Sequence, residues 1–143
     1  MDTEKKLLCV FFNPETPAEA VEECLLTLFR RDFRDSLNRM IADAVSELVY
    51  RSRNITPYAA MELLKGKLPP GDFLKCTGYL NELCSVSQRH YDLIRCRITF
   101  PGVVSGGETR YPLLMIRHLK RLTQLLRMRT RKDLFINYCE KES

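Results

Sequence analysis

The chain contains nothing near the ~18–20 consecutive apolar residues that a bilayer-spanning helix needs. Its apolar run from Leu7 to Phe12 counts only six residues. Membrane insertion by a helix is therefore not expected. The same run follows Met1-Asp2-Thr3-Glu4-Lys5-Lys6, is shorter than a secretory signal core and lacks a small-residue cleavage site. The expected setting is a soluble protein of the cytosol or nucleus.

Six cysteines are present, at 9, 24, 76, 84, 96 and 139, but none of their spacings forms a CxxC pair. In a reducing compartment they read as small buried hydrophobes rather than a disulfide framework. Cys84, His90 and Cys96 match no common zinc-knuckle spacing, so no metal and no cofactor is expected.

Catalytic signatures are equally scarce. Only two histidines occur, His90 and His118. Neither lies in a nucleophile elbow, and His118 stands among Arg117, Lys120 and Arg121, where a general base would be poorly tuned. Ser105-Gly106-Gly107-Glu108 is similar to the phosphate-contacting loop of ABC-type ATPases, but the chain has no GxxxxGKS or GxxxxGKT to accompany it. No enzyme and no catalytic residue is expected. Internal repeats and low-complexity linkers are also missing, and 143 residues suit a single domain.

Charge is sorted along the chain. From Arg95 to Lys132 there are ten bases and one acid, Glu108, whereas the remainder carries thirteen bases and seventeen acids. Such sorting points to an acidic or polyanionic partner, or to a solvated helix face.

The expected fold is α+β: mostly helical, with a small sheet formed by strands near 7–12 and 91–100. Leu7–Phe12 reads as a buried strand stopped at Asn13-Pro14. In Tyr91–Phe100, Ile94, Cys96, Ile98 and Phe100 alternate with Arg95, Arg97 and Thr99. Val103-Val104 suggests a further short strand, and Leu134–Cys139 a closing strand or an apolar docking segment. Thr16-Pro17-Ala18-Glu19 has the form of an N-cap, a first-turn proline and a capping-box glutamate. Helical spacing then continues to Arg51 without glycine or proline. That helix would be roughly 50 Å long, so a bend is expected at Arg30-Arg31-Asp32. Thr56-Pro57 caps a second helix that stops near Gly66, and Asp72 caps a third. From Pro112 onward Leu113, Ile116, Leu119, Leu122 and Leu126 define a further helical face.

Two binding functions follow. The first is a protein-interaction module, a regulatory adaptor or accessory factor, self-associating as a homodimer. Its surface would be Leu113, Leu114, Met115, Ile116, Leu134 and Phe135, because apolar residues around more than one side of a helix need a second cover. The second is nucleic-acid binding through Arg95, Arg97, Arg110, Arg117, Lys120, Arg121, Arg127, Arg129, Arg131 and Lys132. Phe100 and Tyr111 are the only aromatics in that basic segment, which limits base stacking.

Overall fold

The computed structural model describes the backbone of residues 3–99 and 107–142 and, within these, the side chains of residues 3–85 and 113–141. Among the described residues six helices follow one another: α1 (Thr3–Phe11), α2 (Ala18–Thr27), α3 (Ser36–Tyr50), α4 (Pro57–Leu64), α5 (Pro70–Thr99) and α6 (Gly107–Glu142). A single 3-10 turn, Arg30–Asp32, joins α2 to α3. The fold is all-helical, with no strand among the described residues. The expected α+β class and its small sheet are therefore incorrect.

The first misread strand is α1. A buried apolar hexamer must satisfy its backbone groups, but a helix does this internally and needs no sheet. Continuous apolarity then means that every side of the helix is covered. Leu7, Leu8, Val10 and Phe11 are at most 1% exposed, and α1 packs against α3, α5 and α6. It is the centre of the molecule.

The second misread strand, Tyr91–Phe100, belongs to α5 as far as Thr99. Its alternation also contains helical spacing, through Tyr91, Ile94 and Ile98. Short apolar runs satisfy both periods, so context decides between them. Here a helix begun at Pro70 meets no glycine or proline after Gly78, and each added residue gains one hydrogen bond. Val103-Val104 and the Ser105-Gly106 portion of the glycine-rich loop lie outside the described residues. Leu134–Cys139 is not a closing strand but part of the last turns of α6.

The long amphipathic stretch does break where its charges cluster, between α2 and α3. No glycine is needed, because side chains satisfy the turn. Asp32 accepts from the Phe29 N–H at 2.7 Å, and Arg39 donates to the carbonyls of Phe33 and Arg30 at 2.7 and 3.2 Å. Asp35 caps α3, accepting from the Leu37 and Asn38 N–H groups at 2.9 and 3.0 Å. The other end of α3 closes on Ser52, whose φ is +55°. Arg53 N–H reaches back to the Leu48 carbonyl and Ser52 N–H to that of Val49, the paired closure usually built on glycine.

Thr56 caps α4 as its sequence indicates, accepting from Ala59 N–H at 3.1 Å. Thr16 does not cap α2. Pro17 occupies the cap position without a side-chain bond, while the buried Thr16 hydroxyl donates to the Val10 carbonyl at 2.8 Å. It therefore ties off the end of α1. Asp72 lies within the first turn of α5, which begins two residues earlier.

A polar network runs through the core and fixes where α6 sits. Tyr79 on α5 donates to Asn38 Oδ1 on α3, and Asn38 Nδ2 donates to Glu4 Oε1 on α1 at 3.3 Å. Glu4 is only 4% exposed. Its second oxygen accepts from Arg129 of α6 at 2.7 Å, and Arg129 also donates to the Asp32 carbonyl at 2.8 Å.

Candidate interaction surface

Helix α6 is 36 residues long, about 54 Å, which exceeds what the rest of the fold can cover. Met115, Leu119, Leu122 and Leu126 recur at spacings of four, three and four, placing them on one side. All four are buried against the body. Arg129 and Asp133 continue this side, the latter paired with Arg34. Beyond Asp133, none of residues 134–141 is buried; all belong to the exposed surface. Leu134, Phe135, Ile136 and Tyr138 thus stand in solvent on the final turns, with Phe135 67% exposed.

A second side of α6 borders α2. Between the two helices runs an open groove of about 280 Å³, lined by Ala20, Glu23, Cys24 and Thr27 from α2 and by Ile116, Lys120 and Arg127 from α6. Its floor is polar where Cys24 Sγ meets Thr123 Oγ1 at 2.8 Å. The Thr123 hydroxyl also engages the Leu119 carbonyl at 2.7 Å. Burial pushes the Cys24 thiol up to about 11, outweighing the opposing effect of Thr123. The groove is small for a ligand pocket and holds a protonated thiol, which is a poor nucleophile.

The six residues expected to form a protein interface separate into three groups. Met115 is 1% exposed and belongs to the core. Leu113, Ile116 and Leu134 follow the groove side. Leu113, Lys120, Arg127 and Leu134 recur every seven residues, giving one stripe of two bases between two leucines. Leu114 and Phe135 face away from the groove, on the side of α6 that also carries the exposed Leu125 and Met128.

The expected nucleic-acid surface also divides. Arg117, Lys120, Arg121, Arg131 and Lys132 are exposed on α6 and Arg127 is partly so. Arg129 is withdrawn from any such surface by its bond to the buried Glu4. The side chains of Arg95, Arg97 and Arg110 lie outside the described residues, as do those of His90 and Cys96. Among the described residues no three His, Cys, Asp or Glu side chains gather to hold a metal, and no helix is long and apolar enough to cross a membrane.

Sequence reasoning missed the acids of α2. Glu23 lines the groove, Glu19 and Glu22 are exposed on the same helix, and Leu26 is 81% exposed. The available signal was compositional: residues 7–29 contain four acids and no base. Neither a family model, nor a curated protein, nor a solved structure matches the chain.

Proposed function

We propose that the chain is a protein-interaction module that binds rather than catalyses, and that it self-associates through α6. The carrying observation is the overhanging end of α6, where Leu134, Phe135, Ile136 and Tyr138 are all exposed on a continuous helix. Apolar groups concentrated in this way gain free energy when a partner covers them. Two-fold self-pairing is the commonest way for a small domain to provide that cover. The free thiols at Cys9, Cys24, Cys76, Cys84 and Cys139 suit a reducing compartment, the cytosol or nucleus.

Light-scattering mass measurement tests this reading. The wild type is expected at twice its 16.7 kDa chain mass at micromolar concentration. Phe135→Asp with Tyr138→Asp is expected to lower that mass without loss of helical signal, since both side chains are exposed in the single chain. A wild type that remains at the single-chain mass overturns the reading.

One observation favours a second reading: Arg117, Lys120, Arg121, Arg131 and Lys132 all reach solvent from one helix. If they contact phosphates, affinity for nucleic acid falls steeply with salt. Arg117→Glu, Arg121→Glu and Arg127→Glu together should then abolish it. Sub-micromolar RNA or DNA binding near ~150 mM salt, lost in that triple variant, replaces the protein-interaction reading; weak and non-specific retention supports it.

A further inference from the structure

We propose that two copies of the chain pair about a two-fold axis, with α2 of one protomer laid against the groove-side stripe of α6 in its partner. The proposal rests on the self-association argued above and adds the surface and register that bring it about.

The α2 wall of the groove carries acid and its α6 wall carries base. Glu23 lines it from α2, with Glu19 exposed one turn earlier on the same side, and Lys120 and Arg127 line it from α6. None of the ion pairs among the described residues involves these four side chains. Opposite charges are thus presented side by side and left unspent within the chain. Apolar residues accompany both walls: Leu26 on the acidic side, Leu113 and Leu134 on the basic side.

The mixture of signs selects the occupant. A nucleic acid or an anionic membrane drawn to Lys120 and Arg127 would meet Glu19 and Glu23 beside them. A wholly cationic partner would meet the reverse difficulty. The surface needs an occupant that carries both signs in the opposite arrangement, with apolar residues among them. A two-fold axis supplies this, because a residue i that meets j across the axis makes j meet i as well. Glu19 and Glu23 of each protomer then face Lys120 and Arg127 of the other, and Leu26 is covered twice. The overhanging turns of α6, with Leu134 and Tyr138 on the groove side, extend the same surface past the end of the body.

Charge exchange tests the pairing. Glu19→Lys with Glu23→Lys makes both walls basic, and Lys120→Glu with Arg127→Glu makes both acidic. Each variant alone is expected to fall to the single-chain mass, through like-charge repulsion at every contact. An equal mixture of the two is expected to recover the doubled mass, since each then offers what the other lacks. Should the acidic variant lose helical signal, Lys120→Gln with Arg127→Gln is the substitute, with a weakened pair expected instead of an abolished one. A wild type of doubled mass that tolerates both reversals overturns the groove pairing and leaves self-association standing. A wild type of single-chain mass overturns both. Recovery in the mixture is the outcome that neither the α6 end alone nor a nucleic-acid surface would produce.

Discussion

Arg129 and Glu4 lie 125 residues apart in sequence and 2.7 Å apart in the fold, the guanidinium of α6 closing on a carboxylate buried in α1. Glu4 also accepts from the Arg34 and Asp35 N–H groups and from Asn38, each at 3.3 Å. One carboxylate therefore joins α1, the start of α3 and α6. Removing its cationic partner leaves a buried charge with weaker compensation.

Arg129→Ala is expected to cost about 3 kcal/mol, the lower end for a buried pair because the guanidinium is partly solvated. Denaturant titration measures this as a lower midpoint. Arg129→Lys recovers little, since one ammonium cannot reach both Glu4 and the Asp32 carbonyl with the geometry of the planar fork. A midpoint unchanged in Arg129→Ala means that the pair contributes nothing.

Thr16→Ala should cost about 1 kcal/mol through the lost bond to the Val10 carbonyl, while Thr16→Ser keeps the hydroxyl and most of the stability. If Thr16 acted as a helix cap, its loss would appear as fraying of α2. The bond observed here predicts faster amide exchange at the end of α1 instead. Residue-resolved hydrogen exchange separates the two.

Ser52→Gly should stabilise the fold by about 0.5–1 kcal/mol. A left-handed backbone costs a side-chain-bearing residue more than the extra freedom glycine brings to the unfolded chain. The thermal midpoint should rise, and Ser52→Val should lower it.

The thiols set a pH limit. Burial raises both Cys9 and Cys24 to about 11 from an ordinary value of 9.0. Between those values the unfolded chain has released protons that the folded chain still holds, so rising pH favours unfolding. Stability attributable to these thiols is complete below pH 9 and declines through about pH 11. At neutral pH, alkylation followed by peptide mass analysis should mark the exposed Cys139 first, and Cys9, Cys24 and Cys76 only after denaturant is added. Equal labelling of all four in the folded protein contradicts the burial described.

Legibility in the sequence followed the kind of signal each element offered. The Thr56-Pro57 cap was readable because it depends on a few adjacent residues. The break at Arg30–Asp32 was readable because a 35-residue helix exceeded what a compact body accommodates. The same size argument fails for α6, whose last turns overhang the body. Leu7–Phe12 was misread because continuous apolarity reports burial on all sides and says nothing of backbone period. Within α6, spacing found Leu119, Leu122 and Leu126 but joined them to Leu113 and left Met115 on the interaction surface, where the fold exposes Leu113 and buries Met115. It also could not show which exposed side borders a second helix. That required α2 alongside, with its acids. Arg129 resembled its basic neighbours in sequence and differs from them only through a partner at residue 4.

The closure of α1 by α6 also bears on how the chain is made. During synthesis the Leu7–Phe12 segment emerges well before α6, the wall that completes its cover. At ~5–20 residues per second that interval is on the order of ten seconds. Throughout it an apolar hexamer lacks part of its native cover, in the form that holdase chaperones bind. The nascent chain is thus expected to depend on such protection until Arg129 has left the ribosome and reached Glu4.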